Sequence, residues 1–215
     1  MHFRNICMFL TCYFVLQPLY ALGGTLTPEG ARLSKFLDQT RVEELWPAGV
    51  HVTWETGVPD GKPERSVGKH THCSAFVASV AKKLGVYILR PPEHGQILLA
   101  NAQYDWLLEE GEQHGWNRIA GGEQAQEYAN NGYLVVATYH NHHDDKPGHI
   151  AIVRPSTKSR SEIASEGPQI TQAGGTNYLS TTLRQGFAGH PNALSRHEVK
   201  YYAHPIDPHR APENK

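Results

Sequence analysis

The sequence predicts an α+β domain in which helices pack on an antiparallel sheet. The stretch from Thr71 to Val86 carries apolar residues at spacings of three and four, the pattern of one buried helix face. Two short apolar runs, at 133–139 and 150–153, have the length and composition of buried strands. Helical and strand-like segments alternate along the chain, which indicates that the helices cover a sheet.

Length and composition indicate one domain. The chain has 215 residues, of which 39% are hydrophobic and 19% are charged, which is enough for a single core. The formal net charge is -1, and neither sign of charge forms a long run. Nothing therefore indicates a nucleic-acid-binding face or a polybasic membrane anchor.

The N-terminus predicts a secretory signal peptide over residues 1–23. Arg4 precedes an apolar run from Ile6 to Leu16, and small residues follow Pro18. The run is shorter than the roughly 20 residues of a membrane-spanning helix. We therefore expect cleavage, no stable membrane insertion afterwards, and a secreted or periplasmic protein. An uncleaved anchor is the alternative.

Cleavage would leave Cys73 as the single cysteine of the chain. Cys7 and Cys12 lie inside the removed segment, so Cys73 has no internal disulfide partner. An exported lone thiol is open to oxidation, which favours catalysis over a structural role. Cys73 also opens the predicted helix that ends at Gly85, where free backbone N–H groups and the helix dipole favour the thiolate. The alternative role is that of a small buried apolar residue.

Before Cys73, the pattern predicts one helix and one short strand. The helix starts after Thr27 and continues to Leu45, and the strand covers Val50–Trp54. A polar loop rich in glycine and proline then leads into Cys73. Loops beside a reactive residue often shape its pocket, so Trp54 and His72 are candidate substrate contacts.

After Cys73, helices and strands alternate. The strands at 133–139 and 150–153 flank the polar loop 141–148 and are typical of a hairpin. His190, His197 and His209 are expected at the surface. The other predicted elements are a short strand at Tyr87–Leu89, helices at Gln96–Glu110 and Glu123–Asn130, and strands at 167–173 and 199–202.

Two polar residues follow on neighbouring predicted strands. His149 opens one strand of the hairpin, and Gln172 lies near the end of the next strand. A cysteine on a helix, a histidine on a strand and a polar group on the next strand can supply a nucleophile, a base and a residue that fixes the imidazole tautomer. Asn177, just past the following glycine turn, is a weaker candidate for the third position and a further candidate substrate contact.

These motifs resemble a known family. CSAFV at a helix start, then PGHIAIV, then a polar residue on the next strand, is similar to the NlpC-type cell-wall cysteine peptidases and the CHAP amidases. The resemblance implies a papain-like fold, in which the cysteine helix packs on an antiparallel sheet. It implies Cys73 as nucleophile, His149 as general base and Gln172 as third residue. We expect one domain at 24–215, with a family-like core at about 70–187 and an N-terminal helix and loop extension at 25–68.

The resemblance also implies the reaction. The expected substrate is the stem peptide of peptidoglycan, cleaved at an amide bond by an endopeptidase or amidase activity. Thiolate attack forms a thioester, which water hydrolyses with His149 as acid and then base. The backbone N–H of Cys73 would contribute to an oxyanion hole. The reaction needs no cofactor, and the sequence identifies no inhibitor protein.

Two other functions remain open on the sequence alone. His140, His142 and Asp144 form an H-x-H-x-D pattern after an apolar strand, superficially similar to the zinc signature of metallo-β-lactamases. That signature continues with histidine where this chain has Asp145, and a solvated loop is the simpler interpretation. The other alternative is a non-catalytic cell-wall binding module on the same fold.

Overall fold

One six-stranded antiparallel sheet, with helices on both faces, organises the protein. The computed structural model describes residues 24–63, 70–143, 145–207 and 209. The predicted signal peptide at 1–23 lies outside these residues. The predicted α+β class is confirmed, and the helix that begins at Cys73 packs on the sheet in a manner consistent with a papain-like arrangement.

The strands of this sheet are all antiparallel to their neighbours, in the order β1-β6-β2-β3-β4-β5. The strands are β1 (Asn117–Ile119), β2 (Leu134–Tyr139), β3 (His149–Val153), β4 (Gln169–Gln172), β5 (Tyr178–Thr182) and β6 (Lys200–His204). The helices of the described residues are α1 (Pro28–Asp38), α2 (Cys73–Lys83), α3 (Leu99–Glu109), α4 (Gly122–Asn130), α5 (Arg160–Glu166), α6 (Leu183–Gly186) and α7 (Pro191–Ser195).

The sheet separates two apolar clusters. Its central strands β2 and β3 are fully buried, and alternate side chains of a strand point to opposite faces. Ile150 and Ile152 pack in the cluster that contains the apolar residues of α1, α2 and α3. Ala151 and Val153 pack in the cluster formed with α4 and the α6–α7 segment. The two faces of β3 therefore pack against two different layers of helices.

The apolar residues of helix α2 all lie in the first cluster. It begins at Cys73, as predicted, and every residue from Cys73 to Ala81 is buried. Gly85 adopts a φ of 72°, a left-handed conformation that suits glycine and ends the helix. Because α2 is buried on all sides near its start, the position of Cys73 is fixed by the core.

Helix α1 is shorter than predicted. It ends at Asp38 rather than Leu45, and Arg41 follows with a φ of 54°, which no α-helix contains. Val42 and Trp46 are nevertheless buried, because the turn after the helix folds them onto the core. Their apolar character extended the helical pattern beyond the actual helix.

Two predicted strands do not form in the described residues. At Tyr87–Leu89, the terminal carbonyls accept hydrogen bonds from Trp116 Nε1 (2.8 Å) and Gln103 Nε2 (2.9 Å). Within 50–54, Val52 alone makes an isolated β-bridge. Side chains from other elements thus take the place of a neighbouring strand at Tyr87–Leu89.

The other predicted helices and strands are confirmed to within a few residues, including the hairpin of β2 and β3. The sequence analysis did not predict β1, β5, α5, α6 or α7. In the ranges that the structure describes, no helix combines the length and apolar character needed to cross a membrane.

Candidate active site

Cys73 occupies the first position of α2, against the start of β3. Its side chain is buried, and burial raises the pKa of the thiol above its ordinary value. The backbone N–H groups of Ile150 and Ser74 and the Thr71 hydroxyl act in the opposite direction, since they stabilise the thiolate. The N–H groups at the start of α2 therefore favour the thiolate, as expected, but burial outweighs them in the resting protein and the pKa of the thiol is raised.

His149 is the first residue of β3 and is also buried, with 3% of its surface exposed. Its Nε2 lies 2.8 Å from Oε1 of Gln172 on β4. An amide oxygen can only accept, so Nε2 carries the imidazole proton when the ring is neutral. Nδ1 then holds the free lone pair, and it is the ring atom that can take up a proton.

The amide of Gln172 is itself held in one orientation. Its Nε2 donates to the backbone carbonyl of Thr176 at 3.2 Å, and a carbonyl only accepts, which assigns Oε1 to His149. Gly186 on α6 closes the site from the side. A Cβ atom at this position would lie 2.5 Å from Gln172 Oε1, so only glycine leaves room for the amide.

The electrostatic state of the resting site follows from burial. Burial lowers the pKa of His149 to about 4, and the hydrogen bond with Gln172 opposes this shift. At neutral pH the site therefore holds a neutral imidazole and a protonated Cys73 thiol.

The thiol and the imidazole are anchored at consecutive residues of β3. The backbone N–H of Ile150 points to the Cys73 thiol, and the neighbouring residue is His149. Among the described residues, no hydrogen bond joins the thiol to the imidazole. Hydrogen bonds between catalytic groups are often long before substrate binds and tighten in the substrate complex.

His190 lies beside His149 and is half-buried, so the prediction of a surface position is only partly correct. Its ring stacks on that of His149, with centroids 5.3 Å apart and an angle of 17° between the planes. Phe187 meets the His149 ring edge-on at 4.7 Å, and Tyr139 lies 5.6 Å from His190. His197 and His209 are exposed, as predicted.

Asn101 on α3 holds the loop that precedes His149. Its buried Oδ1 accepts hydrogen bonds from the backbone N–H groups of Gly148 (2.7 Å) and Asn141 (3.2 Å). Its Nδ2 donates to the carbonyl of Lys146 at 3.0 Å. The sequence analysis missed this residue, since an asparagine inside a helix gives no local signal of a distant loop.

Asn177 has a structural environment. Its Nδ2 donates to the carbonyls of Val42, Leu45 and Trp46 at 2.9, 2.8 and 3.2 Å, and its Oδ1 accepts from Gly174 N at 3.0 Å. Both polar atoms are therefore used inside the protein. These contacts tie the turn after β4 to the segment after α1, and they favour a structural role over substrate binding or a place in the triad.

The other two candidate substrate contacts differ in position. His72 is buried immediately before α2, with Nε2 2.9 Å from the carbonyl of Val50. Trp54 lies under Lys82, whose Nζ is 5.3 Å from the ring centroid. Lys82 is about 14 Å along the helix axis from Cys73 at the standard helical rise. The structure therefore places Trp54 beside the far end of α2, away from the thiol.

His140 and His142, proposed as alternative zinc ligands, face different partners. His140 Nε2 lies 3.4 Å from the carboxylate of Asp105, and His142 Nε2 lies 2.8 Å from that of Glu198. Asp144 lies outside the described residues. Among those that are described, no three histidine, cysteine, aspartate or glutamate side chains are grouped so that they could hold a metal ion.

Comparison with known proteins gives one informative similarity. No protein-family model matches the chain. It is 33% identical over 106 residues to the peptidoglycan amidase Tse1 of Pseudomonas aeruginosa. The match covers 47% of this chain and 53% of Tse1, so the chain spans about half the length of that relative. This similarity supports, at most, a relationship to a family of cell-wall amidases.

Proposed function

We propose that the protein is an exported cysteine hydrolase that cleaves an amide bond in the peptide part of peptidoglycan. The similarity to Tse1, a peptidoglycan amidase, supports the class of substrate. The apolar segment at the N-terminus supports export. The observation that carries the mechanism is the hydrogen bond from His149 Nε2 to Gln172 Oε1, at 2.8 Å, because it leaves Nδ1 free to accept a proton.

The proposed reaction starts from neutral groups. As the Cys73 sulfur attacks the amide carbonyl carbon, its proton moves to His149 Nδ1. The resulting imidazolium then donates this proton to the leaving amine, and the C–N bond breaks to give a thioester. In the second half, neutral His149 takes a proton from water as the water oxygen attacks the thioester carbon. The C–S bond then breaks, the carboxylic acid leaves, and the imidazolium returns its proton to the Cys73 sulfur to restore the thiol.

The low pKa of His149 favours proton donation to the leaving amine over proton uptake from the thiol. With a pKa of about 4, the neutral imidazole of His149 is a weak base toward the thiol. The imidazolium, once formed, is a strong acid toward the leaving amine. Breakdown of the tetrahedral intermediate is therefore favoured, and formation of the nucleophile needs help. The Ile150 N–H and the Thr71 hydroxyl supply part of it, since both stabilise negative charge on the Cys73 sulfur.

The start of α2 supplies the proposed oxyanion site. His72, the residue before the helix, makes no side-chain hydrogen bond to the N-terminal N–H groups of α2. The first N–H groups of a helix have no partner within it. In the proposal, the N–H of Cys73 donates to the carbonyl oxygen as negative charge develops there, and the helix dipole adds to this effect.

Digestion of purified peptidoglycan, read by mass spectrometry of the released fragments, tests this function. Cys73→Ala and His149→Ala should each abolish release, and Gln172→Ala should slow it, with circular dichroism showing that each variant is folded. The fragment masses distinguish an endopeptidase, which cuts within the stem peptide, from an amidase that separates peptide from sugar.

The exposed His142 provides the matched control, because it belongs to the alternative zinc pattern. Under the cysteine mechanism, His142→Ala and a chelator leave release unchanged. Release that a chelator stops, and that Cys73→Ala leaves intact, would support a metal site instead. Binding to peptidoglycan with no release of fragments would support a non-catalytic binding module.

A further inference from the structure

Within the part of the chain that the structure describes, the imidazole of His149 has one hydrogen-bond anchor and two aromatic neighbours. The anchor is Gln172, which fixes Nε2. A single hydrogen bond leaves the ring free to pivot about that contact. The remaining restraint comes from packing: Phe187 presses on the ring edge-on, and His190 stacks against it.

The aromatic partners Phe187 and Tyr139 belong to the sheet face opposite α2, while His149 itself is the first residue of β3, next to Ile150, whose N–H points to the Cys73 thiol. Phe187 and Tyr139 lie in the apolar cluster of α4 and the α6–α7 segment. His190 immediately precedes α7, and its N–H donates to the carbonyl of Phe187 at 2.8 Å. The carbonyl of His190 in turn accepts from Ala193 N at 2.9 Å. The backbone of His190 is therefore fixed at both ends, which makes its ring a rigid support.

We propose that His190 is a positioning residue for the general base, holding the His149 ring by stacking, and that protonation of His190 prevents His149 from taking up the thiol proton. This inference rests on the proposed function only for the role of His149 as base. The stacked geometry itself is independent of that role.

The groups around His190 explain why the stack binds its second proton only at a lower pH than its first. His149 faces it from β3 and Tyr139 faces it from β2. Glu198 and Arg196 shift the pKa of Tyr139 in opposite directions, and the ring of His142, which is paired with Glu198, also contacts Tyr139. Burial and, to a lesser extent, the charge of His149 together lower the pKa of His190 to about 4. Two stacked imidazoles this close titrate as a pair rather than singly.

This coupling has a defined effect during the reaction. When His149 holds the thiol proton, repulsion keeps His190 neutral. A neutral aromatic face stacked on a cation is favourable, so the same residue that orients the base also stabilises its charged form. When His190 itself holds the proton, the stack repels a second proton and the base is inactive.

Three substitutions separate stacking from charge. His190→Phe keeps an aromatic ring that cannot be protonated, His190→Arg keeps a planar group with a permanent positive charge, and His190→Ala removes both. Asn192→Ala, an exposed position of α7, is the matched control for local disturbance of that helix. The assays are kcat and KM for peptidoglycan fragments at neutral pH and NMR titration of the two imidazoles in the full chain.

We expect His190→Phe to retain kcat within about threefold and His190→Ala to lose about tenfold in kcat with KM unchanged, from the measured worth of aromatic pairs. His190→Arg should lose more than His190→Ala. In the wild type, the NMR signals of His149 and His190 should each show both protonation steps. In His190→Phe, the signal of His149 should show one step.

Independent titration of the two imidazoles in the wild type would overturn the coupling. Equal kcat values for the wild type, His190→Ala and His190→Arg would overturn the positioning role. If the wild type releases nothing from peptidoglycan, the proposed function fails, but the NMR titration still decides whether the pair is coupled. If acid unfolds the protein before the imidazoles titrate, the comparison of kcat at neutral pH decides whether His190 positions His149.

Discussion

The space around Gly186 predicts that one added methyl group will disturb the His149–Gln172 hydrogen bond. In Gly186→Ala, the new Cβ would lie 2.5 Å from Gln172 Oε1, whereas ordinary contact begins at 3.4 Å, so the oxygen must move by about 0.9 Å (3.4 − 2.5). The present hydrogen bond is 2.8 Å long. A displacement of about 1 Å in a catalytic group can cost about 100-fold in rate. We therefore expect kcat to fall by up to about 100-fold, equivalent to about 2.7 kcal/mol.

The assay is the rate of fragment release from peptidoglycan, with Gly189→Ala as matched control. A Cβ at Gly189 meets no atom within 4 Å, so that variant should keep full activity. Thermal unfolding of each variant checks the packing of Ile170, whose Cδ1 would lie 2.4 Å from the new methyl group. The reasoning is refuted if Gly186→Ala lowers the rate further in a Gln172→Ala background, because its effect would then not act through Gln172.

Three further predictions concern stability. The pKa of His149 is about 4 in the folded chain, against 6.5 in the unfolded chain. The contribution of His149 to stability is therefore fully present above pH 6.5 and falls by up to about 3 kcal/mol as the pH drops toward 4. Urea unfolding should show a smaller fall with pH in His149→Phe. Asn177→Ala should cost about 2–3 kcal/mol through its lost hydrogen bonds, with KM unchanged. Asn101→Ala should lower both kcat and the unfolding midpoint, since it releases the N–H of Gly148 before β3.

The sequence was most informative where local periodicity and tertiary burial coincide. Helix α2 and strand β3 are both buried in the core, so their apolar patterns predicted type and position well. Strand β5, at Tyr178–Thr182, is an edge strand that is only partly buried, and its YLSTT sequence has no alternating apolar face. It forms because its backbone pairs with that of β4, and the local sequence of β5 gives no sign of this pairing.

The candidate site shows the same division. Cys73 and His149 stand at the starts of strongly patterned elements, so residue type and spacing predicted their positions. The stacking of His190 on His149 depends on how the α6–α7 segment returns to the sheet, and neighbouring residues carry no sign of it. The pKa of Cys73 depends on burial against β3, which outweighs the helix terminus that the sequence displayed.

The attachment of the polar loop 141–148 to Asn101 has a consequence for evolution and engineering. The loop is closed at both ends by one buried amide oxygen on another element, which binds the N–H groups of Asn141 and Gly148. Insertions between Asn141 and Lys146, whose carbonyl also accepts from Asn101, should therefore leave the start of β3 in place. This makes the loop a natural point for acquiring new recognition elements, and a suitable place to graft a peptide tag without displacing His149.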